Sequence, residues 1–164
     1  MKVSLERIQM NELGTTKTTI MQLSDKGIEL IKTFEGFSAI PYNDVVGRPT
    51  IGFGHLILPG EVFGSIGSME ATSLLRKDCS KAVSCVNNNV KVQLNQNQFD
   101  ALVSFTYNLG CGNFKSSTLL KYVNLGNFQA AAAEFHKWNH AGGKVVDGLT
   151  KRRNKEAQLF LKEV

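Results

Sequence analysis

Three residues in one turn-rich segment have the types and spacing needed for acid–base chemistry. The segment reads FEGFSAIPYNDVVGRPTIGFGH and carries Glu35, then Asp44 nine residues later, then Thr50 six residues after that. Hydrolysis of a glycosidic bond commonly uses two carboxyl groups, one that protonates the leaving oxygen and one that activates water or attacks carbon. A threonine hydroxyl can orient a water without adding charge. Spacing alone leaves open that both acids are solvated charges and that Thr50 is an ordinary strand residue.

The elements around these residues can be read from local signals. Ser24 and Asp25 are typical of a helix start, and Gly36 predicts that the helix stops directly after Glu35. The helix dipole disfavours a carboxylate at that end. From Phe37 to about Pro59, repeated glycine and proline exclude a long helix, while the alternation in PTIGFGHLIL predicts a small antiparallel sheet.

The rest of the chain is helical in pattern. A long helix is predicted from Ser68, NQFDALVSFTYNLG predicts a central buried helix, and GLTKRRNKEAQLFLKEV predicts a basic amphipathic one. We therefore expect an α+β fold in which a small antiparallel β lobe and a larger helical lobe are joined by the long helix, with the active-site cleft between them. Residues 1–23 are interpreted as an N-terminal extension and 24–164 as the catalytic domain.

Charge and residue composition indicate which classes of binding partner the protein can have. The net charge of +5 suits an anionic partner, but the basic residues are not interleaved with aromatic ones as in a nucleic-acid platform. The three histidines and three cysteines lack the short spacing of a zinc site, so neither a metal nor a cofactor is predicted. The cysteines are interpreted as small core residues in a reducing compartment, with a Cys79–Cys85 disulfide left open. Residues 1–23 show no apolar run typical of a signal peptide or membrane span.

The motif FEGFxxxPYxDxxGxPTIGxGH strongly resembles the phage-type lysozymes or endolysins, glycoside hydrolase family 24. Further matches are QFDALVSFTYNLGCGNF, the Trp138 region, Gly142-Gly143 and GLTKRR, so the resemblance runs from about Ser24 to the end. It implies a lysozyme-like fold in which Glu35 is the general acid. It also implies that Asp44 holds or activates a water that Thr50 helps to place, with inversion at the anomeric carbon.

The same resemblance implies further roles. Leu56, Tyr107 and Asn108 are implied to line the saccharide cleft. Lys137 would be a cation at its edge, facing anionic peptide stems. An arginine of the last helix, Arg152 in preference to Arg153, would lie against Glu35.

A second implied feature is an ion pair between the lobes. His55 and Asp78 would form it, and His55 is therefore interpreted as structural rather than catalytic. A buried acid without a partner is costly, which is consistent with such a pair.

The function implied is that of a phage endolysin, a muramidase that cleaves the β-1,4 bond between N-acetylmuramic acid and N-acetylglucosamine in peptidoglycan to lyse the bacterial host. We expect a monomer that stays in the host cytoplasm until a holin opens the inner membrane. The basic C-terminal helix is interpreted either as a packed helix with a solvated face or as a contact to an anionic outer-membrane or wall surface.

Two alternatives remain at the level of the sequence. A lytic transglycosylase would cut the same bond with one acid, although it has no need of the water that Asp44 and Thr50 would place. A non-catalytic wall-binding module or a basic nucleic-acid-binding helical protein would not need the Glu/Asp/Thr set.

Overall fold

The computed structural model describes residues 9–10, 16–17 and 19–164. Most of the predicted N-terminal extension, residues 1–23, therefore lies outside the described residues. Within it, strand β1 (Gln9–Met10) pairs antiparallel with β2 (Thr16–Lys17). The chain divides into two compact units: a small unit, Asp25–Ser80, and a helical unit formed by Lys81–Val164 with the described residues before Asp25.

The small unit contains two helices and one three-stranded sheet. Its elements are α1 (Asp25–Glu35), β3 (Ser38–Asn43), β4 (Pro49–Gly52), β5 (His55–Leu56) and α2 (Ser68–Asp78). The strands are antiparallel in the order β3-β4-β5, as the alternating sequence predicts. Ile51, Ile66 and Ala71 form the centre of its core. Gly36, at a positive φ of 67°, ends α1 directly after Glu35.

The long helix predicted from Ser68 is divided in the structure. Helix α2 ends at Asp78 and α3 (Ser80–Asn89) begins two residues later, with Cys79 as the α2 C-cap. Ala71, Cys79 and Val86, which the sequence places on the apolar side of the predicted helix, are all buried. No glycine or proline stands at 77–80, so the sequence carries no signal for this interruption.

The helical unit is built around α4, which is buried along most of its length. The further elements are α4 (Gln96–Leu109), α5 (Cys111–Ser116), α6 (Thr118–Asn124), α7 (Phe128–Phe135), β6 (His140–Ala141), β7 (Lys144–Val145) and α8 (Asp147–Leu161). Residues 97–106 of α4 are all buried, so the predicted central helix is confirmed. Phe105 makes edge-on ring contacts with Phe135 and Trp138, which places Trp138 in the aromatic core. The mixture of helices and small antiparallel sheets confirms the α+β class.

Hydrogen bonds to side chains of α3 and α4 hold the residues just before α1 in the helical unit. Asn87 pairs with the Met21 backbone, accepting from its N–H at 3.0 Å and donating to its carbonyl at 2.9 Å. Ser24 donates its backbone N–H to Asp100 at 3.1 Å. The predicted boundary at residues 23 and 24 thus falls within a stretch that is hydrogen-bonded on both sides.

The cysteine interpretation needs a correction. Cys85 and Cys111 form a disulfide with a Cα–Cα separation of 5.9 Å, and Cys79 is the buried free thiol. The bridge joins α3 to the start of α5, which are 26 residues apart in sequence. Such long-range pairing is set by the fold and cannot be read from cysteine spacing.

Candidate active site

Glu35 is placed by the end of α1 and by the tight turn between β4 and β5. It is the last residue of α1 and is half-buried. Gly54, at a φ of 80°, is so close that a Cβ built on it would lie 3.4 Å from Glu35 Oε2. The absence of a side chain at this position therefore leaves room for the glutamate carboxyl group.

Asp44 is held by the hairpin turn that follows β3. Its Oδ1 accepts the backbone N–H groups of Val46 at 3.0 Å and Arg48 at 2.8 Å, and its Oδ2 accepts Arg48 Nε at 2.9 Å. The hydrogen bond from the Arg48 backbone is the largest influence on the pKa of Asp44 and, with the other Arg48 and Val46 contacts, lowers it against the opposing effect of burial. Asp44 is therefore a carboxylate at neutral pH.

Thr50 lies at the centre of the sheet on β4. Its backbone is opposite Tyr42 on one side and Leu56 on the other. The side chain is only 2% exposed, and Oγ1 donates to the Arg48 carbonyl at 2.9 Å. Because its proton is already used, the hydroxyl oxygen can receive a hydrogen bond from a water but cannot give one in this arrangement.

His55 lies between two carboxylates within the small unit. Nδ1 is 2.8 Å from Asp78 Oδ2, and Nε2 is 3.0 Å from Glu61 Oε1. Burial of the imidazole works to lower the pKa of His55, but the hydrogen bonds with Asp78 and Glu61 together outweigh it and raise the pKa above 6.5. The resemblance implied a pair between the lobes, whereas the structure places His55 and Asp78 in one unit and adds Glu61 as a third member.

The remaining predicted binding residues belong to the helical unit. Tyr107 is half-buried near the end of α4, and the neighbouring Asn108 is exposed. The Asn108 side-chain oxygen accepts a hydrogen bond from Arg153. Lys137 is exposed, and its Nζ lies 2.7 Å from Glu134 Oε1, a hydrogen bond that raises the pKa of the lysine.

The two candidate arginines lie in a buried charge cluster, defined as Arg152, Arg153, Glu156 and Ser104. Arg152 Nη2 donates to the Ser104 carbonyl at 3.2 Å, and Arg153 Nε lies 3.0 Å from Glu156 Oε1. Arg153 and Glu156 are 0% exposed. Burial lowers the pKa of Arg153 to about 10 against the opposing attraction of Glu156, and burial raises the pKa of Glu156 against the two cations.

This cluster changes the interpretation of the basic C-terminal helix. Two of its five cations are internal, so its solvated cations are Lys151 and Lys155 on α8 and Lys162 directly after it. Ala157 and Phe160 are buried, as the packed-helix interpretation requires. The helix therefore offers less charge to an anionic surface than its composition predicts.

Among the residues that the structure describes, no group of three or more His, Cys, Asp or Glu side chains is arranged to hold a metal ion. Within the same residues, every helix falls short of the length and apolar character that a membrane crossing requires.

Some residues of the site were not predicted from sequence. Glu61 lies six residues after His55 in a loop, where no periodic pattern marks it. Glu156 lies on α8 with the spacing of an ordinary surface pair to Arg152. Gly54 was visible as part of the TIGFGH run, but its proximity to Glu35 depends on how the sheet packs beside α1.

Comparison with known proteins shows the family of this chain. The sequence model of the protein family described as phage lysozyme matches residues 32–156 of this chain. An endolysin of Bacillus phage B103 is 51% identical over 146 residues, covering 86% of this chain and 54% of that protein. An endolysin of Salmonella phage P22 is 41% identical over 149 residues, covering 87% of this chain and 99% of that protein.

A solved structure agrees with the sequence relatives. The endolysin from Escherichia coli O157:H7 phage FAHEc1 is similar with a TM-score of 0.80 and 40% identity, covering 88% of this chain and 96% of that one. The chain spans about half the length of the Bacillus phage relative that it matches. The segment with Glu35, Asp44 and Thr50 lies wholly inside the matched region. The chain belongs to the phage lysozyme family.

Proposed function

We propose that the protein is a muramidase that hydrolyses the β-1,4 bond between N-acetylmuramic acid and N-acetylglucosamine in peptidoglycan. The observation that carries the proposal is the hairpin on which an ionised Asp44 and the Thr50 hydroxyl occur together, within the stretch matched by the family model. Glu35, whose carboxyl group lies beside the β4–β5 turn of the same sheet, supplies the second carboxyl group that glycoside hydrolysis needs.

In this mechanism Glu35 protonates the glycosidic oxygen and the leaving sugar departs. Asp44 accepts a proton from the water that attacks the anomeric carbon. Three of its lone-pair sites are occupied by the Val46 and Arg48 donors, which leaves about one site of the four on a carboxylate for that water. The same donors fix the orientation of the carboxylate before substrate arrives.

Thr50 completes the water site as an acceptor. Because the Thr50 hydroxyl donates its hydrogen bond to the Arg48 carbonyl, Oγ1 accepts a hydrogen bond from the water. The other hydrogen of the water is then directed to Asp44. Attack by a water from this side gives inversion at the anomeric carbon.

We further infer the biological setting of the whole protein. It acts as a phage endolysin in lysis of the bacterial host, is a monomer, and reaches the wall from the host cytoplasm when a holin opens the inner membrane. Leu56, Tyr107, Asn108 and Lys137 contact the glycan or its peptide stems. The three solvated lysines of the C-terminal segment, Lys151, Lys155 and Lys162, favour an anionic wall surface.

The test compares the wild-type protein, Glu35→Gln and Glu29→Gln on purified peptidoglycan, following turbidity and product end groups. Glu29 is the matched control because it lies on α1 with an exposed side chain. We expect the wild type and Glu29→Gln to release hydrated reducing muramic acid ends and Glu35→Gln to lose this activity. Anhydro ends would identify a transglycosylase instead, and binding without cleavage by the wild type would identify a wall-binding module.

A further inference from the structure

Three residues form one row across the three-stranded sheet. Tyr42 on β3 is the register partner of Thr50 on β4, and Thr50 is the partner of Leu56 on β5. Side chains of directly opposed residues point to the same face of a sheet, with Cβ atoms about 4.5–5.5 Å apart. Tyr42, Thr50 and Leu56 therefore share one face, with the threonine in the middle.

The exposure of the row differs sharply between its centre and its ends. Tyr42 is 42% exposed and Leu56 is 38% exposed, whereas Thr50 is 2% exposed. The hydroxyl proposed to place the water is therefore flanked by two side chains that reach solvent. A substrate that approaches Thr50 from this face meets these two side chains first.

The Tyr42 ring is also close in register to Asp44. Asp44 donates its backbone N–H to the Arg48 carbonyl at 2.9 Å, which continues the β3–β4 pairing one step beyond Asn43 and Pro49. Alternation along a strand places residues two apart on the same face. Tyr42 thus lies on the face and at the end of the sheet where Asp44 and Thr50 act.

We propose that Tyr42 is a substrate-positioning residue whose ring forms an apolar wall for the saccharide at the Thr50 water site, opposite the wall formed by Leu56. An aromatic ring that is 42% exposed beside the Thr50 hydroxyl can contact the apolar face of a sugar ring. The inference rests on the proposed muramidase function and adds Tyr42 to the residues assigned to its substrate.

The proposal predicts a change in substrate binding with little change in stability. Tyr42→Ala removes the wall, and Tyr42→Phe keeps it. Because Tyr42 is half-exposed, neither variant should shift the thermal midpoint by more than about 2 °C. Val45→Ala is the control, since Val45 is fully exposed on the same hairpin but outside the row.

The experiment measures kcat and KM on soluble, uncrosslinked glycan strands of alternating N-acetylglucosamine and N-acetylmuramic acid. It also measures glycan affinity by calorimetry in full-length proteins that carry Glu35→Gln, with and without the Tyr42 changes. We expect Tyr42→Ala to raise KM and Kd about tenfold, and Tyr42→Phe and Val45→Ala to stay within about twofold of their parents.

The outcomes separate this inference from the function on which it rests. If the wild type cleaves the glycan and Tyr42→Ala leaves KM and Kd unchanged, the wall is overturned and the muramidase assignment stands. If Tyr42→Phe loses as much affinity as Tyr42→Ala, the phenol hydroxyl and not the ring is the binding group, which also overturns the wall. If the wild type neither binds nor cleaves the glycan, both proposals fall.

Discussion

The hairpin of the small unit and the buried charge cluster of the helical unit use charged groups in opposite ways. The Asp44 carboxylate accepts hydrogen bonds from Val46 and Arg48, which lie within four residues of it in a solvent-exposed turn. Glu156 and Arg152 are hydrogen-bonded to Ser104, which is 52 and 48 residues away from them in sequence, and all three residues are buried. The first arrangement holds an ionised group at the surface, where the proposed chemistry needs it. The second buries opposite charges together, so that the loss of one partner leaves the other charge buried.

Substitution of Glu156 in the buried charge cluster should destabilise the protein most. Glu156→Gln removes the carboxylate whose oxygens lie 3.3 Å from Arg152 Nε and 3.0 Å from Arg153 Nε, and so takes a buried anion away from two buried guanidinium groups. We expect a loss of about 3–5 kcal/mol in the free energy of unfolding, measured by urea titration. Glu163→Gln, at an exposed position near the same end of the chain, should change it by less than about 0.5 kcal/mol. Equal, small losses in the two variants would show that the cluster carries no stability.

The disulfide should contribute a similar amount to the same unit. Cys85 and Cys111 are separated by 26 residues, and closing a loop of that size stabilises the fold by about 3.5 kcal/mol in the chain-entropy model. Reductant should therefore lower the unfolding midpoint of the wild type and leave a Cys85→Ser, Cys111→Ser double variant unaffected. A double variant as stable as the oxidised wild type would contradict this contribution.

For the hairpin we expect activity and stability to separate. Asp44→Asn keeps a side-chain oxygen for the turn donors but loses the charge and basicity needed to activate water. Its activity on peptidoglycan should fall about hundredfold, while the unfolding free energy changes by less than about 1 kcal/mol. Asp147→Asn, at the start of α8, is a control outside the site. A parallel loss of activity and stability in Asp44→Asn would make Asp44 a structural turn residue.

The smallest effect concerns His55 and depends on pH. The folded-state pKa of His55 is raised, so the imidazolium stabilises the fold fully below pH 6.5, and this contribution is lost as the pH rises through the folded-state pKa. The stability difference between the wild type and His55→Asn should therefore shrink between about pH 5 and about pH 8. The exposed His136→Asn should show no such trend. If the stability difference between the wild type and His55→Asn does not change with pH, the charge of His55 does not stabilise the fold.

The same comparison explains how far the sequence could be interpreted. The end of α1 at Glu35, the small sheet and the buried α4 follow from capping, alternation and burial patterns, which are local. The Cys85–Cys111 bridge, the Glu61 contact to His55 and the burial of Arg153 depend on which helices and loops meet. These contacts join residues that are far apart in sequence or that follow no periodic pattern. The sequence therefore predicted the candidate catalytic residues, but not the contacts that stabilise the small unit and the helical unit.

The anomeric configuration of the product at early times shows most directly whether Asp44 and Thr50 hold the attacking water. It is followed by proton NMR during cleavage of soluble glycan strands by the wild-type protein. If Asp44 and Thr50 hold the attacking water, the newly formed reducing end appears first as the α anomer and reaches the equilibrium mixture afterwards. If the β anomer appears first, the reaction proceeds with retention, and the water site assigned to Asp44 and Thr50 is wrong.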